Sequence, residues 1–347
     1  MYSCIFLFPN ALISASNSKD RELVARIPQS FQELCLGADE PSCVRLFNSD
    51  ELDGFATNQW LWMTITARTT LLESAPYLWK GLGGYRFNQQ VWRLTPYHLF
   101  EEKLIESELI LDEDEECFLM DSLNPILRKH RMQLQLCGNQ IFATRKPAWD
   151  VLIAPWESQK NKPAFSPEGT DAKEWMDLFC ELRLAVENSD WNQYRKQKGF
   201  HPIDGLWICS GGVEEQILPM TQLRTIQSDS PLVRGIADAS GLQTDFITTE
   251  QDAWPDCAPG SRLVVFDEFS RIDRFSQPDL WLKAWELATQ RITRLVEKLE
   301  STETYQLKFV ATDGLRISTL TRKQKISKLL FWKNKNNYIN PWLLPEN

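Results

Sequence analysis

Two runs of consecutive apolar residues limit what this chain can fold into. Residues 4–8 (Cys-Ile-Phe-Leu-Phe) end at Pro9, and the apolar residues Leu-Val-Val-Phe that follow Arg262 in the segment 262–266 lead directly into Asp267 and Glu268. An unbroken apolar run of this length is typical of a strand buried on both faces, as in a parallel sheet covered by helices. The sequence therefore predicts an α/β fold in which these runs are inner strands.

Amphipathic helical patterns lie between the two runs, as an α/β fold requires. Residues 19–36 have the apolar spacing of a helix that Pro28 interrupts, and residues 170–186 and 280–299 carry longer apolar stripes. Residues 49–79 mix tryptophan with threonine, so helix and strand compete there. The patterns therefore predict helices on either side of a central sheet.

Proline content and hairpin patterns divide the chain into four predicted parts. Residues 147–167 are rich in proline, which predicts a linker. The acidic run at residues 112–116 opens a helix, and we attribute its charges to helix capping and solvation. The parts are the N-terminal part of the α/β core (1–90), a small inserted α/β unit with its linker (91–167), the C-terminal part of the core (168–301), and a terminal hairpin with a basic tail (302–347).

The bulk composition narrows the class of protein. The chain has 347 residues, 43% of them hydrophobic, and a formal net charge of -9. This acidic balance argues against binding to nucleic acid or to a membrane surface through general electrostatics. No segment reaches the roughly 18 uncharged residues that span a membrane, and the cysteines form no C-x-x-C pair. We therefore expect a cytoplasmic protein with buried, reduced thiols, no cofactor and no membrane partner.

An apolar strand pattern at residues 206–209 (Leu-Trp-Ile-Cys) marks the first candidate site. The small residues Ser210, Gly211 and Gly212 follow it directly. In an α/β protein, glycines after a buried strand allow the backbone to approach a ligand closely. Trp207 and the three small residues are therefore candidates for binding a small phosphate or carboxylate compound. A tight turn without a ligand is the alternative explanation.

The same region resembles a known family signature. Residues 191–212 (WNQYRKQKGFHPIDGLWICSGG) are similar to the pattern P-V-N-x-x-R-x-x-x-G-x-x-P-x-N-x-[IL]-W-L-W-G-x-G of the archaeal-type cofactor-independent phosphoglycerate mutases. They look closer still to bacterial relatives of these mutases, the regulatory protein RpfE-type family. Residues 230–236 (SPLVRGI) resemble the family element D-P-L-x-R-G-I. Two arginines of these motifs, Arg195 and Arg234, are candidates for binding a phosphate or carboxylate, and ion pairing is the equal alternative.

The resemblance implies an alkaline-phosphatase-like core with a smaller inserted α/β unit, and it also implies a metal site. The mutases hold two divalent metals with aspartates and histidines and use a serine as phosphoryl acceptor. Their first strand ends in a metal-binding aspartate, where this chain has Pro9 and Asn10. Their second metal run, H-x-E-x-x-D-x-x-x-H, corresponds to residues 267–276, which lack both histidines. The few histidines of the chain are His98, His130 and His201.

Two metals held by histidines therefore cannot be carried over to this chain. Asp267, Glu268 and Asp273 remain as candidates for a single hard cation bound through oxygen atoms. The favoured alternative is that these carboxylates pair with neighbouring arginines. We assign no catalytic residue and no metal ligand.

The leading hypothesis is a non-catalytic, phosphoglycerate-mutase-like scaffold in the bacterial cytoplasm, with a binding or regulatory role towards an unidentified protein partner. The rival is a metal-dependent phosphoglycerate mutase or phosphatase with a reduced metal site. In a third hypothesis, a basic tail binds nucleic acid or an acidic partner. The basic residues of this tail are Arg322, Lys323, Lys325, Lys328, Lys333 and Lys335.

Overall fold

The structure of the chain is a computed structural model. It describes residues 2–13, 18–48, 50–85, 88–160, 162, 166–187, 189–218, 222–247, 260–299, 304–323 and 339–343. Its strands are β1 (Tyr2–Phe8), β2 (Ser42–Arg45), β3 (Gln90–Phe100), β4 (Lys103–Glu106), β5 (Met132–Cys137), β6 (Gln140–Arg145), β7 (Gly205–Gly212), β8 (Leu223–Gln227), β9 (Gln243–Asp245), β10 (Gly260–Val265), β11 (Tyr305–Thr312) and β12 (Arg316–Lys323).

Helices lie between the strands along the chain, singly or in groups of two or three. They are α1 (Ser18–Ala25), α2 (Gln29–Leu34), α3 (Ala56–Thr66), α4 (Ala75–Gly81), α5 (Glu113–Phe118), α6 (Asn124–Lys129), α7 (Trp156–Gln159), α8 (Ala172–Glu187), α9 (Asp190–Gln197), α10 (Pro231–Ala239), α11 (Glu268–Arg271), α12 (Pro278–Leu299) and α13 (Ile339–Leu343). A short 3₁₀ turn at Asp50–Leu52 and a π-helical turn at Leu119–Leu123 complete the set. None of the helices in the described ranges is long and apolar enough to cross a membrane.

Two sheets organise the fold. Within the described residues, the larger sheet has the strand order β2-β12-β11-β1-β10-β8-β9. The strand β1 pairs in parallel with both β10 and β11, while β12 runs antiparallel to its neighbours. The two apolar runs of the sequence are thus adjacent inner strands, and the predicted α/β fold class is confirmed.

Helices cover both faces of the larger sheet, which explains why its inner strands are apolar throughout. Phe6 and Phe8 of β1 lie in a cluster with α1, α2 and α12. Trp285 of α12 stacks on Phe8 with a ring-centroid distance of 4.7 Å. Leu7 belongs to a second cluster with α3, α4 and α10. Within residues 50–79, where the sequence pattern was ambiguous, helices α3 and α4 therefore cover this second face.

The smaller sheet is antiparallel and has the order β4-β3-β6-β5, with β7 also paired to β3. The predicted hairpin of residues 132–143 forms its β5 and β6. One face packs against α8, whose Leu178 and Leu182 share a core with Trp207 of β7. The other face contacts α4 through Trp79, whose ring lies 5.3 Å from that of Phe142.

Sheet membership differs in two places from what the sequence patterns indicated. The strand β7 lies in the smaller sheet, although residues 168–301 were predicted to complete the core. The predicted turn at Ser210, Gly211 and Gly212 is wrong, because β7 continues to Gly212. Ser210 and Gly211 lie opposite the single residue Trp92 of β3, which is the geometry of a β-bulge, and Ser210 has a φ of 58°. The predicted domain boundaries stay a prediction.

The thiol prediction is correct only in part. Cys4, Cys35 and Cys209 are buried, as expected for reduced thiols that pack as small apolar groups. The structure corrects this expectation for Cys43, Cys117 and Cys180, which are exposed.

Candidate functional site

The carboxyl ends of the parallel strands in the larger sheet form the best candidate site, because ligands of open α/β sheets bind outside these ends. Asp267 follows β10, Asn10 follows β1, and Thr312 ends β11. Since β1 lies between β10 and β11, the three residues follow one another along this edge. We call this region, which is formed by the carboxyl ends of β10, β1 and β11 and not by an edge strand, the sheet edge.

Hydroxyl groups occupy the centre of the sheet edge. The hydroxyl of the buried Thr312 accepts a hydrogen bond from the backbone N–H of Asn10, with a donor–acceptor distance of 3.1 Å. The hydroxyl of Thr57, in the first turn of α3, lies 2.6 Å from that of Thr312. No sequence motif linked these residues, because hundreds of positions separate Thr312 from both of its partners.

A guanidinium group supplies the positive charge at the sheet edge. Nη1 of Arg274 donates a hydrogen bond to the carbonyl oxygen of Asn10 at 3.3 Å. Burial lowers the pKa of Arg274, and nearby carboxylates oppose that shift. These carboxylates belong to Asp20, Asp273 and Asp313. Burial also raises the pKa of Asp20, which Arg274 partly offsets, so the two groups depend on each other for charge balance.

Asp267 is a structural acceptor in this arrangement. Its Oδ2 accepts from the Ser228 hydroxyl at 2.7 Å, from the Asp229 N–H at 2.8 Å and from the Ser230 N–H at 3.1 Å. Burial raises its pKa, and these hydrogen bonds oppose the shift. The predicted pairing with an arginine is therefore replaced by a bridge from the end of β10 to the loop that begins α10.

The other two candidate carboxylates point to different partners. Glu268 lies 3.7 Å from Arg291 of α12. Asp273 is exposed and accepts from the Phe275 N–H at 3.0 Å and the Ser276 hydroxyl at 2.8 Å. Across the ranges that the structure describes, no three His, Cys, Asp or Glu side chains converge as a metal site would need.

The histidines lie away from the sheet edge. His98 belongs to β3 and stacks on His201 at a ring-centroid distance of 5.1 Å. His130 ends α6 and lies 3.5 Å from Glu181 of α8. All three histidines belong to the smaller unit, so none of them contributes to the sheet edge.

A pocket of about 370 Å³ opens beside the sheet edge, at the turn between β11 and β12. Arg45, Asp53, Asp313 and Arg316 contribute to its lining. Asp313 accepts from the N–H groups of Leu315 at 2.9 Å and Arg316 at 2.6 Å. Because both carboxylate oxygens of Asp313 also face Arg316, the pocket has paired charges rather than a net charge of one sign.

Arg195 lies in the core of the smaller unit instead of a pocket. It is 1% exposed and forms an ion pair with Glu115 of α5, which is 0% exposed. Its Nη2 and Nε donate to the carbonyl oxygens of Glu108 and His201. The ring of Trp191 lies 5.6 Å from the guanidinium carbon. All of these contacts are internal, which favours the ion-pair alternative for Arg195.

The small residues at the end of β7 make close contacts within the protein. A Cβ atom on Gly211 would lie 2.3 Å from the ring of Trp92, and one on Gly212 would lie 2.4 Å from the Cβ of Glu73. Trp207 is 1% exposed, and its indole N–H donates to the carbonyl oxygen of Ala154 at 3.4 Å. Side-chain packing therefore accounts for both glycines.

Arg234 connects α10 to α4. Its Nη2 donates to the carbonyl oxygen of Gly81 at 3.2 Å, and its guanidinium carbon lies 4.3 Å from the ring centroid of Phe246. The structure thus places Arg234 between two helices, Arg195 inside the smaller unit and Asp267 at the sheet edge. It does not bring the sequence-predicted ligand residues together.

The basic tail falls mostly outside the described residues. Within them, Arg322 donates to the carbonyl oxygen of Leu34 at 3.0 Å, and Lys323 lies 3.9 Å from Asp39. Trp342, which follows the basic residues of the tail, is fully buried, and its indole N–H donates to the carbonyl oxygen of Ser318 at 3.2 Å. A test of tail binding therefore needs lysine-to-glutamine replacements, since truncation would remove a core tryptophan.

Glu73, next to Gly212, allows a prediction about pH. Burial and the nearby carboxylate of Glu215 raise the pKa of Glu73, and the N–H of Val213 opposes this shift. An acid with a raised pKa stabilises the fold fully only below its unfolded-state pKa, and that contribution is lost as the pH rises through the folded-state pKa. We expect Glu73→Gln to become more stable relative to the wild type as the pH increases. Urea denaturation of both proteins at several pH values measures this, and a difference that stays flat with pH would contradict it.

The comparison with solved structures shows a shared fold, whereas the sequence comparisons identify no family. No family model matches the chain, and no curated protein matches it. The solved structures that resemble it include a cofactor-independent phosphoglycerate mutase from Thermoplasma acidophilum DSM 1728, with 11% identity over 92% of this chain and 89% of that one and a TM-score of 0.44. They also include the PH0037 protein from Pyrococcus horikoshii, with 12% identity over 92% of this chain and 86% of that one and a TM-score of 0.51. The second likeness extends over nearly the whole chain and shows that the two proteins share a fold.

Proposed function

We propose that this protein is a non-catalytic scaffold with a phosphoglycerate-mutase-like fold, and that it acts by binding, in the manner suggested by its resemblance to the RpfE-type regulatory family. The observation that carries the proposal is the position of Arg274. Its guanidinium donates to the carbonyl oxygen of Asn10, two residues after the end of β1, where the mutases that the sequence resembles have a metal-binding aspartate. The guanidinium of Arg274, which is part of the protein, therefore supplies the positive charge near the carboxylates at the sheet edge.

The donor set of the sheet edge does not fit a pair of divalent metals. Hard divalent cations need several free oxygen ligands, and histidine nitrogens complete such sites in the mutases. Here Oδ2 of Asp267 already accepts three hydrogen bonds, and Asn10 has replaced a carboxylate with an amide. The positive charge of Arg274 adds electrostatic repulsion against a bound cation. We therefore derive no catalytic step through a metal.

The experiment combines an activity assay with metal analysis of the purified full chain. We expect no conversion of 3-phosphoglycerate in the presence of manganese and no stoichiometric manganese after dialysis. An active metal-dependent mutase assayed in parallel controls for the substrate and the coupling enzymes. Turnover above background would overturn the proposal. Stoichiometric manganese that disappears in Asp267→Asn would overturn it as well and would favour the reduced metal site of the rival hypothesis.

A further inference from the structure

A second, strongly basic pocket lies at one end of the smaller sheet. It has a volume of about 370 Å³. Its polar lining consists of Gln89, Arg128, Arg131, Gln133, Thr144 and Lys146. Among the described residues, none that lines this pocket carries a carboxylate, although the protein as a whole has a net charge of -9. We call this site the basic pocket, and it is separate from the sheet edge.

Strand register explains why these residues converge. Gln133 of β5 lies directly opposite Thr144 of β6, and β6 ends one residue later at Arg145. The first residues of β5 and β3, Met132 and Gln90, both pair with Arg145. The segments that flank these strand ends therefore meet at one corner of the sheet and bring the cationic side chains to it.

Ion pairing distinguishes the positively charged residues of the basic pocket from their neighbours in the sequence. Lys129 and His130 both lie within 3.5 Å of Glu181, and Arg145 lies 3.0 Å from Glu174. Lys129 and Arg145 therefore have carboxylate partners within the protein. The pocket cations are Arg128, Arg131 and Lys146, and none of them has an ion-pair partner within the part of the chain that the structure describes.

The backbone conformation at Arg131 places this residue next to Arg128. Arg131 follows the end of α6 with a φ of 59°, in the left-handed region where helices commonly end in glycine. Its N–H donates to the carbonyl oxygen of Arg128 at 3.0 Å, which closes the turn and holds the two arginines together. Arg131 therefore lies beside Arg128, at a position where glycine could adopt the same backbone conformation without strain.

We propose that the basic pocket binds the phosphate group of a small molecule. A guanidinium donates two parallel hydrogen bonds to phosphate oxygens, and an ammonium adds a point charge. Hydroxyl and amide groups such as those of Thr144, Gln133 and Gln89 supply further neutral donors. A small anion fits better than a nucleic acid, because the pocket is concave and local and the overall net charge of -9 disfavours binding of a long polyanion.

Isothermal titration calorimetry of the full chain with inorganic phosphate at low ionic strength tests the proposal. The key variant is Arg131→Gly, because glycine adopts this backbone conformation without strain and the fold is retained. We expect saturable binding to the wild type and affinity reduced by about tenfold or more in Arg131→Gly, because charge-assisted hydrogen bonds are lost. Lys146→Gln is expected to weaken binding in the same direction. Added salt is expected to weaken binding to the wild type.

Lys129→Gln is the matched control, since it removes one positive charge from the neighbouring turn at a residue already paired with Glu181. We expect it to retain the affinity of the wild type to within about twofold. Phosphate binding that does not saturate in the wild type would overturn the proposal. Equal weakening by Lys129→Gln and Arg131→Gly would overturn it too, because the effect would then reflect net charge alone. If phosphate does not bind to the basic pocket, the results of the manganese analysis and of the mutase assay are not affected, so the two proposals are tested separately.

Discussion

Replacing Glu115 with glutamine is expected to lower the free energy of unfolding by about 3–5 kcal/mol, because the Arg195 charge would then be buried without a counter-charge. Both side chains are almost fully shielded from water, at 0% and 1% exposure. Glu115 also accepts from the N–H groups of Ile110 and Leu111, each at 2.8 Å, and from the indole N–H of Trp191 at 3.1 Å. One carboxylate therefore organises the start of α5 and the helix that carries Arg195.

Urea denaturation of the wild type and Glu115→Gln measures this effect. The control is Asp177→Asn, which breaks the exposed pair of Asp177 with Lys173 and is expected to cost about 0–1 kcal/mol. Adding Arg195→Met to Glu115→Gln removes the unpaired charge and is expected to restore part of the lost stability. A loss below about 1 kcal/mol in Glu115→Gln would show that water or a rearranged side chain reaches Arg195.

This ion pair shows where sequence analysis reached its limit. The sequence identified Arg195 within a family-like motif and left binding and ion pairing as equal alternatives. Its partner lies 80 positions earlier, inside an acidic run that we had attributed to capping and solvation. Asp112 does cap α5, accepting from the Glu115 N–H at 3.1 Å, but Glu115 is buried. Neighbouring acids in one run have different roles because only one of them faces the core.

Two inner strands of the larger sheet, β1 and β10, could be predicted, because an unbroken apolar run reports burial on both faces. The same apolar signal did not identify the sheet to which β7 belongs. An antiparallel strand between α8 on one face and α4 on the other is equally apolar, so the run does not distinguish a parallel core strand from an antiparallel one. Pairing partners decide this, and β3, the partner of β7, is more than a hundred residues away.

The sheet edge escaped prediction for a related reason. Asn10, Thr57, Arg274 and Thr312 come from four separate segments, and none of these residue types marks a site by itself. Asn10 and Thr312 are 302 positions apart. Parallel pairing of β1 with β11 places them side by side, so the grouping follows from topology rather than from a local motif. The sequence did show that no aspartate follows β1, because this feature can be read from the residues Pro9 and Asn10 alone.

Gly235→Ala is expected to destabilise the protein by about 3 kcal/mol, although alanine normally favours a helix over glycine by about 1 kcal/mol. The helices α4 and α10 cross at two glycines. A Cβ atom on Gly235 would lie 1.7 Å from the carbonyl oxygen of Tyr77, and one on Gly81 would lie 1.6 Å from that of Pro231. Both contacts are with backbone atoms, which cannot rotate away, so the helices would have to separate.

The matched control is Gly241→Ala, just beyond the end of the same helix. Gly241 has a φ of 65° and no atom within 4 Å of an added Cβ, so alanine there should cost only about 1 kcal/mol of backbone strain. Thermal or urea denaturation of the two variants separates a steric clash from a conformational effect. Equal losses in both would contradict the close crossing. A loss confined to Gly235→Ala would support the close crossing of α4 and α10, and because α4 also packs against the smaller sheet, this crossing links the packing of the two sheets.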